Sequence, residues 1–149
     1  MKPEKLEWDH WRDDLSVGID AIDDDHKQIL ALIAKLSGTY QAGAGAEAEL
    51  REAMRIIAQY SERHFAREER ILAAAGYPFI EQHRLRHQSF RAFVDNASSG
   101  ARPTNARELF SYLVDWWVGH IATDDKSYRD SLDGKADLVA EALAEPAGR

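Results

Sequence analysis

Five of the six histidines in this chain stand beside a carboxylate or a second histidine at spacings that can grip a metal ion. They are His26, His64 with Glu68, His83 with His87, and His120 with Asp125. These seven nitrogen and oxygen donors exceed the tetrahedral shell of a single zinc, and the chain has no cysteine to supply a thiolate. A pair of first-row ions such as iron is the natural occupant of such a set. His64 with Glu68 and His83 with His87 are i, i+4 pairs, so on a helix each pair projects from one face and can chelate one site. Taken singly, such a pair is commonly a solvated surface feature. Asp125 follows His120 by five residues and is turned about 140° from it on an ideal helix, whereas Asp124, at i+4, suits that geometry better.

The elements that must position these side chains are helices. An apolar stripe of Ile22, Ile29, Leu30, Leu32, Ile33 and Leu36 marks a first helix over about 20–40, with Asp20 or Asp23 as N-cap. The Gly/Ala stretch from Gln41 to Ala46 breaks it, and a second helix runs over about 47–75 until Gly76-Tyr77-Pro78 stops it. A third occupies about 79–96 and ends in breaker residues through Pro103. Asn105 and Glu108 form a capping box for a fourth, which is expected to reach about 130, and a tail helix spans about 135–143. No segment alternates as a strand would. The expected fold is therefore all-α: an up-down-up-down four-helix bundle with an extended N-terminal arm (1–19) and a short C-terminal tail helix, forming one domain over 1–149. In that topology all seven donors fall in one layer roughly 10 Å deep, an agreement that unrelated surface histidines would have no reason to share.

Composition narrows the partners. The chain has 149 residues, enough for one domain with a buried site. Its 19 Lys and Arg against 26 Asp and Glu give a net charge of −7, which disfavours nucleic acid and anionic membranes. There is no apolar run of membrane-spanning length. With no cysteine, the chain fits a reducing cytoplasm. A soluble, cytoplasmic monomer is expected.

At the metal-binding positions the chain resembles the hemerythrins, in particular the single-domain bacterial ones. The resemblance is carried by Trp11-Arg12-Asp13-Asp14-Leu15-Ser16-Val17-Gly18-Ile19, by Ile22-Asp23-Asp24-Asp25-His26-Lys27, and by His64-Phe65-Ala66-Arg67-Glu68-Glu69. It continues through Gly76-Tyr77-Pro78, His83 to His87, and Trp116-Trp117-Val118-Gly119-His120-Ile121 with Asp125 and Tyr128. The resemblance implies that His83, His87 and His120 hold one iron, His26 and His64 the other, and that Glu68 and Asp125 bridge the two. It selects Asp125 over Asp124, which requires a locally widened turn or a favourable approach of the fourth helix. It further implies that the two-histidine iron keeps an open position for dioxygen. The expected function is reversible O2 binding for storage, transport or delivery, with an unidentified protein as the recipient, rather than enzymatic turnover. Sensing through a partner, and reduction of peroxide or nitric oxide, are the alternatives.

Ile29, Phe65, Trp117 and Ile121, neighbours of the ligands in sequence, are candidates for an apolar wall around the O2 pocket; each also suits ordinary bundle core. Hemerythrins often have a smaller Leu where this chain has Trp117, so narrowed access is expected. Tyr128, one turn beyond Asp125, suits either a hydrogen bond to a bridging carboxylate or a half-exposed packing position. His10 reads as solvated, Trp8 and Trp11 as covers for one end of the bundle, and Asp23, Asp24 and Asp25 as a complement to a helix macrodipole.

Overall fold

A computed structural model describes residues 11, 13–41, 47–99 and 106–144, and all regular structure among them is helical. The main elements are α1 (Asp20–Gln41), α2 (Glu47–Ala75), α3 (Ile80–Ser99), α4 (Ala106–Gly119) and α5 (Ala136–Ala144). α1 packs on α2 and α4, and α2 packs on α3 and α5. Trp8, His10 and Asn105 lie outside the described residues. No helix among the described residues is long and apolar enough to cross a membrane.

The inward stripes explain both the packing and the site. On α2 the buried positions run Met54, Ile57, Ser61, His64 and Phe65, Glu68, Ile71 and Leu72, then Ala75, a helical repeat in which polar groups replace apolar ones midway. On α3 the stripe is His83, His87, Phe90 and Val94. On α4 it is Leu109, Leu113, Val114 and Trp117, continuing into His120 and Ile121. On α3 and α4 one end of the stripe is thus ordinary core and the other carries the donors, whereas on α2 apolar core flanks them on both sides.

The fourth helix departs from expectation. It ends at Gly119 and gives way to a π turn over His120–Asp125, then to 3-10 turns at Lys126–Tyr128 and Asp130–Leu132. α2 terminates as the sequence suggests. Gly76 adopts φ +68°, Tyr77 N–H donates to Leu72 O at 3.0 Å, and Gly76 N–H donates to Ala73 O at 3.1 Å, the paired bonds of a Schellman cap. Lys135 Nζ donates to Ala75 O at 2.7 Å, joining that cap to the start of the tail segment.

The arm before α1 is not wholly extended, because Asp13–Leu15 forms a 3-10 turn. It is fastened by Asp23, which accepts from Ser16 Oγ at 2.6 Å and from Val17 N–H at 3.0 Å, while Arg129 donates to Ser16 O at 3.2 Å. Asp23 thus anchors the arm while standing in the first turn of α1, where a negative charge complements the helix macrodipole. Trp11 is half-buried against the core, with the Lys27 ammonium 5.2 Å from its ring centroid.

Candidate metal centre

The starts of α1 and α3 meet the latter part of α2 and the π turn in one buried layer. His26 lies in the second turn of α1, His64 and Glu68 on the inward stripe of α2, His83 and His87 on α3, and His120 and Asp125 on the π turn. All seven expected residues come together here, and none is more than 4% exposed. They form two overlapping groups, Glu68 with His83, His87 and His120, and His26 with His64, Glu68 and Asp125, the ligand atoms of each lying within 4.8 Å of one another.

The π turn resolves the angular problem posed by Asp125. Its widened hydrogen bonding, with Lys126 N–H donating to Ile121 O, brings a residue five positions on back toward the same face. Both aspartates then reach His120 from opposite sides: Asp125 Oδ1 is 3.0 Å from Nε2, and Asp124 Oδ2 is 2.9 Å from Nδ1.

Each central carboxylate turns one oxygen to each group. Glu68 Oε1 lies 2.5 Å from His83 Nε2 and 3.0 Å from His87 Nε2, whereas its Oε2 lies 3.5 Å from His64 Nε2. Asp125 Oδ1 lies 3.0 Å from Nε2 of both His83 and His120, and its Oδ2 lies 3.0 Å from His26 Nε2. The remaining imidazole pair, His26 and His64, brings its Nε2 atoms to 3.2 Å.

Charge dominates this layer. Burial would raise the pKa of Glu68, but the His64 charge and hydrogen bonds from His83 and His87 hold it well below the ordinary carboxylate range. Asp125 is lowered too: burial and the Glu68 charge oppose ionisation, and His120 with His26 outweigh them. Burial pushes His83 down, yet Asp125 and Glu68 lift it to about 9. His120 is raised well above its usual value against the same burial, by Asp125, Asp124 and Glu68. For His64 burial wins and the pKa falls.

This donor set fits metal cations. Two carboxylates that stay ionised without contact with solvent need positive charge beside them, because an unpaired buried ion costs several kcal/mol. Moreover, His120 Nε2 and both Asp125 oxygens are buried and make no aligned hydrogen bond despite their 3.0 Å approaches. Lone pairs that crowd together without pointing at donors are what a shared cation would satisfy.

Sequence reasoning missed an outer row of carboxylates. His64 Nδ1–H donates to Asp25 Oδ2 at 3.0 Å, and His87 Nδ1–H to Glu69 Oε2 at 3.1 Å. With Asp124 behind His120, three of the five rings carry a carboxylate on Nδ1. Asp25 and Glu69 are sequence neighbours of His26 and Glu68, which hid them inside the motifs they serve. Only Asp124 gave a signal, through its i+4 spacing.

Ile29, Phe65, Trp117 and Ile121 are all fully buried in the core beside this layer. Phe65 stacks between His87 and Trp117, at centroid distances of 3.9 and 5.5 Å. Trp117 also faces His64 at 5.8 Å and His120 at 6.2 Å, and its Nε1 is buried without a partner. Tyr128 OH donates to Glu68 Oε2 at 3.0 Å, and burial together with that carboxylate raises the phenol pKa well above its usual value.

Comparison with known proteins gives a family match over most of the chain. The model of the Hemerythrin HHE cation binding domain matches residues 17–130. The chain is 32% identical over 128 residues to a bacteriohemerythrin of Stenotrophomonas maltophilia, covering 82% of this chain and 80% of that protein. It is 34% identical over 125 residues to a bacteriohemerythrin of Pseudomonas aeruginosa, with the same coverage of 82% and 80%. A myohemerythrin of Riftia pachyptila is 28% identical over 122 residues, spanning 82% of this chain and 92% of its own length.

Proposed function

The chain belongs to the hemerythrin family, and from that premise we propose that it binds dioxygen reversibly at a pair of iron ions, for storage or delivery. His83, His87 and His120 would hold one ion and His26 and His64 the other, with Glu68 and Asp125 shared between the two. Bound there, the iron pair supplies the electrons for reversible O2 binding. One observation carries the reading: each of the two buried carboxylates offers one oxygen to the three-histidine group and the other to the two-histidine group.

The protein's own groups then have distinct tasks. Five neutral imidazoles and only two carboxylates leave the site less anionic than a carboxylate-rich one, which disfavours highly oxidised iron and so favours binding over oxygenation of a substrate. Ile29, Phe65, Trp117 and Ile121 exclude water from the open side. Tyr128 holds Glu68 through its hydroxyl.

Anaerobic reduction of the iron-loaded protein followed by air tests the reading. The expected result is two irons per chain and visible absorption bands that appear with O2 and vanish on deoxygenation. A protein lacking stoichiometric iron, or one whose bands never reverse, contradicts it. Sustained consumption of peroxide or nitric oxide with an electron donor would instead favour a reductase.

A further inference from the structure

Three of the rings in the centre are gripped from behind. A carboxylate can only accept, so its partner nitrogen must carry the hydrogen. At His64, His87 and His120 the contact is made at Nδ1, at 3.0, 3.1 and 2.9 Å, by Asp25, Glu69 and Asp124. That arrangement keeps the proton on Nδ1 and leaves Nε2, the nitrogen facing the central carboxylates, as the one available to a metal.

The three carboxylates are themselves held, each by arginine. Arg67 Nη1 bonds Asp25 Oδ1 at 2.7 Å. Glu69 lies 3.4 Å from Arg84 Nε and 3.7 Å from Arg91 Nη2, and Asp124 lies 3.7 Å from Arg86 Nε. The same order, ring to carboxylate to guanidinium, is therefore built three times from different elements. Its counterexample is His26, whose Nδ1 is buried without a partner.

We propose that Asp25, Glu69 and Asp124 are positioning residues, which fix the tautomer and ring angle of His64, His87 and His120 and strengthen them as metal donors. This rests on the reading of the centre as a metal site. Asp25 serves the two-histidine half, whereas Glu69 and Asp124 serve the three-histidine half. Substitutions in the two sets should therefore loosen different ions.

Cobalt(II) loaded into the metal-free full chain gives a readout independent of O2 binding. Release to a chelator is expected to quicken about tenfold or more in Asp124→Ala and Asp25→Ala, and less in Asp124→Asn and Glu69→Gln, which keep an acceptor but lose the charge. The cobalt ligand-field bands should shift in each variant, with different bands moving for Asp25 than for Asp124. Far-ultraviolet circular dichroism should not change, and the Asn and Gln variants preserve side-chain shape should an Ala variant fold poorly. Asp24→Asn, an exposed carboxylate next to Asp25, should match the wild type. Wild-type bands together with release within about twofold of the wild type in Asp25→Ala, Glu69→Gln and Asp124→Asn would overturn the proposal while leaving the metal site standing. A wild-type chain that takes up no cobalt or iron overturns the metal reading, and this proposal with it.

Discussion

The centre lies between two apolar clusters that differ in construction. The larger takes the inward stripes of α1 to α4, including Ile33, Leu36, Met54, Ile57, Phe90 and Leu113. The smaller is assembled from the arm, the start of α1, the end of α2, the turns after Asp125, and α5, through residues such as Val17, Ile22, Leu72, Leu132 and Val139. Along α1, His26 separates Ile22 from Ile29; along α2, Glu68 separates Phe65 from Ile71. The larger cluster fixes how the helices meet. The smaller one closes the end where the donors sit, and it reaches the centre by a hydrogen bond, from Tyr128 to Glu68.

The largest effect should come from removing what both halves share. Glu68→Ala deletes the carboxylate whose two oxygens lie within 3.9 Å of all five histidines. Loss of both irons is expected, with helix content kept, because the large cluster does not involve Glu68. Metal analysis beside circular dichroism checks this; retention of one tightly bound iron would show that the halves are independent.

Next come paired truncations. Leu113→Ala in the larger cluster should cost about 2–5 kcal/mol in unfolding free energy while metal stoichiometry holds. Val139→Ala in the smaller one should cost only about 1–2 kcal/mol, from its two lost methyl groups. It should nevertheless speed metal release to a chelator more than Leu113→Ala does. The reverse order of release rates would remove the distinction between a packing cluster and a sealing cluster.

The same distinction separates what the sequence reveals from what it hides. The larger cluster repeats at helical spacing within each helix, so Ile29 to Leu36 could be read as one stripe, and the seven donors stood out because they interrupt such stripes at matched depth. The smaller cluster joins Val17 to Leu132 and Val139, residues far apart in the chain whose pairing no local period encodes. The π turn was equally hidden: His120 to Asp125 has ordinary helix composition, and only the demand that Asp125 face inward hinted at a wider turn. Asp25 and Glu69 were obscured for another reason. A carboxylate beside a ligand is common on exposed helix surfaces, and its role depends on a ring arriving from another helix.

Acidity offers a third test, on the metal-free protein. Glu68 and Asp125 are held below their ordinary values, so their contribution is present above about pH 4 and is lost as pH falls through their lower folded values. His83 and His120 are raised, so theirs is complete below about pH 6.5. It is lost as pH climbs through the folded value, about 9 for His83. His64, lowered by burial, acts in the opposite sense but only below about pH 6.5. Calorimetry should therefore show the metal-free protein weakening between about pH 6.5 and 9, by on the order of 1 kcal/mol per pH unit for each proton held. The gain from added metal should grow over the same range, since metal displaces those protons. A metal-free melting temperature that is flat or rises there contradicts the charge balance derived for the centre.

The smallest effect belongs to Trp117, where the larger cluster touches the centre. Its ring faces His64 and His120 and stacks on Phe65, filling the side of the site that the proposed function leaves open to dioxygen. Trp117→Leu removes bulk and opens a cavity, but it also removes a buried N–H that has no partner. Leaving such a donor unsatisfied costs about 1–3 kcal/mol, which partly offsets the lost packing. Stability should then change little while O2 association and autoxidation both quicken a few-fold. Trp117→Phe divides the two contributions, since it deletes the N–H and keeps an aromatic ring against Phe65. It should match or exceed the wild type in melting temperature and keep O2 association near the wild-type rate. Equal rates in all three proteins would mean that dioxygen enters elsewhere, and that Trp117 belongs wholly to the packing side of the comparison.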